Sequence, residues 1–455
     1  MRIRLFGEKR RIFFIGIGGI SMSSLAKMLL SSGYEVSGYD AVYGRQVQSL
    51  RNLGVEISVG GEEICGVARA EVVIYTDAIP STDKRLVYAR QENKLILSRG
   101  QLLSLLCNEF SRVISVAGSH GKTTCTAMCA HALSCTGTPF AAHIGGEDVR
   151  FDNFMMSGTE FLITEACEYK KNLSKITADS AILLNVDKDH LECYKDENEL
   201  KNLFKEYLLR AKTAFVCIDD KNCRKILEEE QKISAVTFSA FDISADYIAW
   251  GIRRTKDGYT FNVTEYGKKL CCVQLRVPGR HNVLNALAAI AVLRSYGFDE
   301  KEIVKGLQGF SGVKRRFERL GNIFGAEAIA DYAHHPREIE ATVSTAMENG
   351  VKKNERGKII VIFQPHTYSR TKLLMKEFID VLQPLKNVVV YRTFSARESY
   401  DEQGSARRLA ECVGAIYADN THALETYLKA TAKEGDLLLF LGAGDIYRVA
   451  QYLAR

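Results

Sequence analysis

The chain has 455 residues, of which 46% are hydrophobic and 25% charged, and its formal net charge is +6. This composition is that of a folded globular protein, and the length suggests about three domains. No apolar run reaches the ~18–20 residues of a membrane span. The basic clusters at 9–11 and 314–316 are too short and too poor in aromatic residues for a nucleic-acid surface. The twelve cysteines include no C-x-x-C pair, so we expect a cytoplasmic protein with reduced thiols.

Strand and helix signals alternate along the chain, which predicts an α/β protein built from parallel βαβ units. The first series begins with a strand at 11–16 and a helix whose apolar residues, from Met22 to Leu29, follow the i, i+3, i+4, i+7 spacing. The second series begins with a strand at 112–117, and the third begins near Gly312. We predict a Rossmann-like first domain, a central domain of the P-loop ATPase type and a Rossmann-like third domain. Their expected limits are 1–106, 107–311 and 312–455.

Further strands are expected in the two later domains. In the central domain, apolar runs predict buried strands at 161–164, 180–186 and 214–218. Residues 236–277 have the pattern of short strands and turns, which predicts an antiparallel flank on a mostly parallel sheet. A helix at 282–293 is expected to close the domain. The strands of the third domain are expected at 328–332, 358–363, 387–391 and 436–441.

A glycine-rich turn, GIGGIS at 16–21, follows the first strand. It is similar to the dinucleotide-binding fingerprint, with Ser21 at the position of the third glycine. Asp40 ends the next strand, near the ~20-residue spacing at which a carboxylate binds a ribose. The turn predicts a site for a nucleotide diphosphate without specifying NAD. A dinucleotide-dependent oxidoreductase is one function that it leaves open.

The segment AGSHGKTT at 117–124 lies between a predicted strand and a predicted helix. Its glycines let backbone N–H groups surround a polyphosphate, and the helix N-terminus adds positive potential. Lys122 is placed to reach the outer phosphates, and the Thr123 hydroxyl to hold Mg²⁺. Val116 stands where the strict P-loop pattern has glycine, so this is a shortened variant. We predict nucleotide binding here, in an enzyme or in a non-catalytic nucleotide switch.

Two further side chains are expected at the same sheet edge. Glu165 ends the predicted strand FLITE, and a carboxylate at that end of a strand beside the loop strand is where a P-loop protein binds its metal. His190, in DKDH, follows the strand at 180–186 and is expected at the same edge. Together with Thr123 they predict a divalent-metal site.

Polar residues also cluster in three later segments. Asn282 and Asn285 lie one turn apart in a helix otherwise rich in Ala and Leu; a helix cap and base recognition are both open. In the third domain, DYAHHP at 331–336 and FQPHTYSR at 363–370 each follow a strand, where α/β folds place ligands. The alternative for each of these two segments is a structural role, as a capped helix start with packed aromatic side chains.

Taken together, the ordered segments resemble the Mur ligases, the amide-forming enzymes of peptidoglycan synthesis. They stand in the family's order and span nearly the whole chain: GIGGISM, GSHGKTT, EACEY, DKDHLECY, GRHNVLNALAA, GVKRRFE, DYAHHP, FQPHTYSRT and GAGDI. The resemblance implies ATP-dependent joining of UDP-N-acetylmuramate and L-alanine through an acyl phosphate. A ligase that recycles cell-wall tripeptide and a folate-tailing ligase are alternatives with the same ATP chemistry. We expect a monomer or a homodimer.

The resemblance also implies roles for individual residues. The residues implied in ATP binding are Gly118, Ser119, His120, Gly121, Lys122, Thr123, Thr124, Asn282, Asn285, Arg316 and Asp331. Those implied in binding the UDP-substrate and alanine are Gly18, Gly19, Ser21, Met22, Asp40, Tyr332, His334 and Arg370. The implied metal ligands are Thr123, Glu165 and His190, and the implied catalytic residues are Lys122, His190, His334, His366 and Arg370. The sequence does not choose between His334 and His366 as the group that takes the ammonium proton. Ser21 replaces a glycine common in the family, which is expected to stiffen the loop.

Overall fold

The computed structural model describes residues 3–61, 64–187, 194, 196–349 and 357–455. They form three α/β domains in chain order, each built around its own sheet, so the predicted three-domain α/β architecture is confirmed. Within these ranges every helix falls short of the length and apolarity that a bilayer crossing requires. The expected domain limits fall beside the end of the helix Arg99–Cys107 and between the helix Glu300–Gln308 and the strand Glu318–Ile323.

The first domain carries a five-stranded sheet. Its strands are β1 Arg11–Ile15, β2 Glu35–Asp40, β3 Glu56–Val59, β4 Val72–Tyr75 and β5 Leu95–Ser98, and its helices are α1 Ile20–Ser31, α2 Arg45–Asn52, α3 Cys65–Arg69, α4 Lys84–Gln91 and α5 Arg99–Cys107. The strand order is β3-β2-β1-β4-β5 and all neighbours are parallel, which is the expected Rossmann-like arrangement. The order reverses at β1, so the glycine turn after this strand lies at the point where such folds bind ligands.

The central domain carries a ten-stranded sheet. Its strands are β6 Arg112–Ala117, β7 Phe140–Asp148, β8 Asp152–Met156, β9 Phe161–Glu165, β10 Ser180–Leu183, β11 Thr213–Cys217, β12 Ala235–Ser239, β13 Tyr247–Arg254, β14 Tyr259–Glu265 and β15 Lys268–Leu275. The order is β15-β14-β13-β12-β11-β10-β6-β9-β7-β8. The pairs β13–β14 and β14–β15 are antiparallel, so the predicted flank is confirmed. The strand β8 adds a second antiparallel edge beside β7, which the sequence did not predict.

Helices cover the central sheet. They are α6 Lys122–Leu133, α7 Glu197–Arg210, α8 Lys221–Glu229, α9 His281–Ser295 and α10 Glu300–Gln308, with a 3₁₀ helix at Tyr169–Lys175. Helix α9 packs on α6. The expectation that the helix at 282–293 closes the domain is wrong, because α10 follows it and packs on α6 and β15. This close approach requires Gly306, where a Cβ would lie 2.3 Å from the His131 carbonyl oxygen.

The third domain carries a six-stranded sheet in the order β16-β17-β21-β18-β19-β20. Its strands are β16 Glu318–Ile323, β17 Ala326–Asp331, β18 Ile359–Phe363, β19 Val388–Tyr391, β20 Ile416–Ala418 and β21 Leu437–Leu441, and its helices are α11 Pro336–Asn349, α12 Tyr368–Leu373, α13 Met375–Leu382, α14 Ala406–Val413, α15 Thr421–Thr431 and α16 Ile446–Leu453. The strand β16 pairs antiparallel with β17, and the other neighbours are parallel. The four predicted strands are present, and the two that were missed, β16 and β20, are the edge strands.

Candidate active site

The phosphate-binding loop connects β6 to α6 as the sequence predicts. Gly118 and Gly121 have φ of 136° and 86°, which only glycine adopts without strain. A Cβ at Gly121 would lie 2.9 Å from Asn285 Oδ1, so a side chain there would also collide with α9. The first N–H groups of α6 lack partners within the helix and are available to an anion. The loop therefore has the conformation that a polyphosphate site needs.

The Lys122 ammonium group lies against the loop itself. Its Nζ donates to the carbonyl oxygens of Gly118 at 2.5 Å and Ser119 at 3.1 Å, and it is 3.1 Å from both carboxylate oxygens of Glu168. Glu168 is fully buried and the Lys122 side chain is 15% exposed, so this ion pair is largely shielded from solvent. Glu168, within the segment EACEY, was not among the predicted site residues. Its carboxylate holds the lysine at the site where a phosphate would bind.

Two of the three predicted metal ligands lie together. The Glu165 carboxylate accepts a hydrogen bond from the Gly145 amide at 2.6 Å and another from the Thr123 hydroxyl. Burial raises the pKa of Glu165 despite these donors and the nearby Lys122. A desolvated carboxylate beside a P-loop threonine hydroxyl fits a divalent cation, which would supply the missing positive charge. The third predicted ligand, His190, lies outside the described residues.

A cavity of ≈ 220 Å³ opens between the central and third domains. Its walls come from the phosphate-binding loop, from α9 and the residues before it, and from α11 of the third domain. Seven residues predicted to bind ATP line it: His120, Gly121, Thr124, Asn282, Asn285, Arg316 and Asp331. The structure thus brings together residues from two domains that the sequence assigned to one ligand.

The polar groups of this cavity are held in place by backbone and side-chain contacts. Asn282 Nδ2 donates to the Pro278 carbonyl oxygen at 2.6 Å, and Asn285 Nδ2 donates to Asn282 Oδ1 at 2.9 Å. On the opposite wall the Asp331 carboxylate accepts from the amides of Phe317 and Ala333. Burial raises the pKa of Asp331 to about 6. Asn282 is the second residue of α9. Its hydrogen bond to the Pro278 carbonyl oxygen therefore also ties the start of that helix to the residues before it.

The predicted third-domain residues form one chain of contacts. The Tyr332 ring lies 4.9 Å from the Arg316 guanidinium and 5.2 Å from the His334 ring. The rings of His334 and His366 are 5.9 Å apart, and Arg370 Nη1 lies 3.4 Å from His366 Nδ1. The segments DYAHHP and FQPHTYSR thus meet at the carboxyl ends of β17 and β18. Both histidines therefore lie at the same edge of the third-domain sheet.

Carboxylates and histidines join the phosphate-binding loop to the third domain. The two ring nitrogens of His120 lie 3.1 Å from Glu338 Oε1 and 3.1 Å from Asp187 Oδ2. His335 Nδ1 lies 3.6 Å, and Arg337 Nε 3.2 Å, from the same Asp187 oxygen. His120, Asp187 and His335 are close enough to share a metal ion. Because His120 already uses both ring nitrogens on carboxylates, we interpret the group as a hydrogen-bonded domain junction.

The glycine turn of the first domain is held from two sides. The Gly18 amide donates to Asp40 Oδ2 at 2.7 Å, and Asp40 Oδ1 accepts from Val42. Asp40 thus fixes the turn, and its contact with a ribose or base stays a prediction. Ser21 Oγ lies 2.8 Å from His143 Nε2 of the central domain. The Met22 side chain is in the hydrophobic core, so only its backbone is available to a diphosphate.

Several groups that shape this site were not predicted from the sequence. Asn185 fixes the phosphate-binding loop, because its amide exchanges two hydrogen bonds with the backbone of His120. Asp187, the first residue of DKDH, was not predicted to contribute to the site. Glu338 stands in the first turn of α11, where an acidic residue is common for reasons of helix stability alone. Their functional contacts are long-range, and no local pattern reveals them.

The phosphate-binding loop, with the cavity beside it between two domains, is the arrangement of a nucleotide-dependent α/β enzyme. The sequence matches three family profiles: "Mur ligase family, catalytic domain" over residues 11–111, "Mur ligase middle domain" over 116–293 and "Mur ligase, glutamate ligase domain" over 315–444. The chain belongs to the Mur ligase family, a family of ATP-dependent ligases.

Relatives of full length support this assignment. The UDP-N-acetylmuramate–L-alanine ligase of Clostridium perfringens is 36% identical over 452 residues, with 97% of each chain covered. The enzyme of the same name from Clostridium beijerinckii is 37% identical over 460 residues, covering 98% of this chain and 97% of the relative.

Solved structures agree in fold. The UDP-N-acetylmuramate-alanine ligase of Thermotoga maritima has a TM-score of 0.82 at 28% identity, covering 97% of this chain and 98% of that one. A murein peptide ligase from Psychrobacter arcticus has a TM-score of 0.75 at 23% identity, with 97% of both chains covered, and shows the shared fold alone.

Proposed function

We propose that this enzyme joins L-alanine to UDP-N-acetylmuramate at the expense of ATP, in the synthesis of peptidoglycan precursors. The observation that carries the proposal is the cavity between the central and third domains, whose walls contain seven of the residues assigned to ATP. The named relatives, at 36% and 37% identity over nearly the whole chain, support the choice of acid and amine.

The reaction must turn a carboxylate, which is a poor electrophile, into a reactive acyl group. In the proposed first step a carboxylate oxygen of UDP-N-acetylmuramate attacks the γ-phosphorus of ATP, and ADP leaves. The amine of L-alanine then attacks the acyl phosphate, an amide bond forms, and inorganic phosphate leaves. The amine must lose a proton in this second step, and His334 and His366 are the candidate bases.

Lys122 has the central role in the first step. Two anions approach each other there, and their repulsion is severe in a partly dry cleft. The Lys122 ammonium group, held 3.1 Å from Glu168, would move to the transferring phosphoryl group and stabilise its charge. Mg²⁺ bound at Thr123 and Glu165, with His190 as the predicted third ligand, would neutralise further phosphate charge.

The third domain would complete the site. Arg370, buried at the start of α12, would orient a carboxylate, and Tyr332 and His334 would line the acceptor site. The junction of His120 with Glu338 would keep the third domain over the loop while the acyl phosphate exists. Exclusion of water matters because an acyl phosphate hydrolyses readily.

The test is a reaction with Mg-ATP and UDP-N-acetylmuramate, in which L-alanine, glycine, L-serine and cell-wall tripeptide compete as amines and products are identified by mass spectrometry. We expect the L-alanine adduct to dominate. Acid labelled with ¹⁸O in its carboxylate should pass one label into the released phosphate. A tripeptide adduct would indicate the recycling ligase instead. ATP hydrolysis without any amide would indicate a nucleotide switch and contradict the proposal.

A further inference from the structure

The glycine turn of the first domain makes a partly buried polar contact with the central domain. Ser21, near the start of α1, places its Oγ 2.8 Å from His143 Nε2, and His143 Nδ1 lies 2.9 Å from the Thr164 hydroxyl. His143 is 2% exposed and Thr164 is fully buried. Both imidazole nitrogens are therefore used, one on each domain. Ser21 stands where the fingerprint has glycine, and this contact gives its hydroxyl a partner.

The direction of these hydrogen bonds follows from the groups present. Burial lowers the pKa of His143 to about 3, so the ring is neutral and carries one N–H. The Thr164 hydroxyl has the Glu165 carbonyl oxygen as its own acceptor at 3.4 Å. The consistent arrangement has Ser21 O–H donating to Nε2 and Nδ1–H donating to Thr164 Oγ1. In this arrangement Nε2 accepts a hydrogen bond and Nδ1 donates one, and the two bonds fix the orientation of the imidazole ring.

The same strand serves the ATP side of the molecule. Gly145 and Glu147 follow His143 two and four residues later on β7. The Gly145 amide donates to Glu165, the candidate metal ligand. Glu147 accepts from Gln46 Nε2 of α2 at 2.9 Å and pairs with Arg45. One strand thus contacts the glycine turn and the helix α2 of the first domain as well as the candidate metal ligand Glu165.

We propose that His143 is a positioning residue for the UDP-substrate. It holds the Ser21 hydroxyl, and through it the first turn of α1, in the place where the backbone N–H groups meet the diphosphate. This inference rests on the proposed function, because it assumes that the turn binds a UDP-sugar acid. It adds a residue of the central domain to the determinants of first-domain binding.

Two substitutions of His143 by similar amide side chains test its two hydrogen bonds separately. In His143→Gln the side-chain amide lies near the position of Nε2, so the contact with Ser21 is kept. In His143→Asn the amide lies near Nδ1, so the contact with Thr164 is kept and that with Ser21 is lost. Ser21→Ala removes the hydroxyl, and Ser21→Thr retains one.

The measurement is calorimetric titration of each full-length variant with UDP-N-acetylmuramate and, separately, with a non-hydrolysable ATP analogue. We expect His143→Asn and Ser21→Ala to raise the Kd for the UDP-substrate about tenfold, the order expected for one lost buried hydrogen bond. His143→Gln and Ser21→Thr should stay within about threefold of the wild type. The Kd for the ATP analogue should not change in any variant. The double variant Ser21→Ala with His143→Asn should bind no more weakly than either single variant.

Each alternative outcome has its own meaning. A wild-type protein that does not bind UDP-N-acetylmuramate overturns the proposed function and this inference with it. Tight wild-type binding with unchanged binding by His143→Asn overturns the inference alone, as do additive losses in the double variant. If His143→Asn does not fold, His143→Leu, which also lacks the contact with Ser21, is measured in its place, and unchanged binding of the UDP-substrate by that variant likewise overturns the inference.

Discussion

The central domain contacts the first domain, at the first junction, and the third domain, at the second junction, through different kinds of side chain. The first domain shares a hydrophobic core with the central domain, in which Leu25 and Leu29 of α1 belong to the same buried cluster as Ala141 and Leu162. The third domain has its own cores, formed by residues 323–450. Glu338 of the third domain pairs with His120 of the phosphate-binding loop, and His335 and Arg337 lie beside Asp187 of the central domain. We infer that the first junction is permanent and that the second opens and closes during turnover.

The largest effect on turnover is expected at Lys122, in the phosphate-binding loop beside the second junction. Lys122→Ala removes the cation assigned to the transferring phosphoryl group, and loss of such a group costs roughly 10²–10³-fold in turnover. We expect a loss near the upper end with every amine, because activation by ATP is common to all of them. The measurement is initial phosphate release under saturating substrates. A Lys122→Ala variant with more than a tenth of wild-type turnover would contradict the assigned role.

A smaller effect is expected from weakening the junction itself. Glu338→Gln keeps the size of the side chain but removes the charge that faces His120 and His334. We expect kcat to fall about tenfold, since the closed arrangement becomes less populated. Small-angle scattering with bound nucleotide and UDP-substrate should show a larger radius of gyration than for the wild type. An unchanged radius together with an unchanged kcat would show that this contact does not control closure.

The same carboxylate predicts a pH dependence of stability. Burial alone would raise the pKa of Glu338, but His334 and His120 hold it well below its ordinary value of 4.5. A carboxylate with a lowered pKa in the folded state stabilises the fold above its unfolded pKa and loses that contribution as pH falls through the folded value. Urea unfolding from pH 7 to pH 3 should therefore show a shallower loss of unfolding free energy in Glu338→Gln than in the wild type. Parallel curves would contradict this account.

The sequence predicted this architecture where a local pattern exists. The strand β6 has the expected bounds, Arg112–Ala117, because an apolar run enters a glycine loop there. The edge strand β16 was missed because it is largely exposed, and β20 was missed because it has only three residues; neither contains such a run. The strand β7 was missed because its sequence, FAAHIGGED, does not alternate.

The candidate site was predictable to the same extent. The phosphate-binding loop, Glu165 and the two polar segments of the third domain were found as strand ends. The contacts that join them were not, since His120 and Glu338 are 218 residues apart in the chain and Ser21 and His143 are 122 apart. A side chain that acts through a partner in another domain leaves no periodic signal. Only the fold brings such partners together.

The smallest effect on turnover is expected at the first junction. Lys27 of α1 donates to Asp152 Oδ2 at 2.7 Å and Asn153 Oδ1 at 2.6 Å, and its side chain is 8% exposed. Lys27→Met keeps the apolar stem and removes the charge. We expect the unfolding free energy to fall by about 2 kcal/mol, less than the ~3–5 kcal/mol for a fully buried pair, because Asp152 is 30% exposed. Turnover should stay within about twofold, since a permanent junction has no step to control. Lys27→Met thus serves as the matched lysine control for Lys122→Ala, and a fall in kcat as large as that of Glu338→Gln would show that both junctions move.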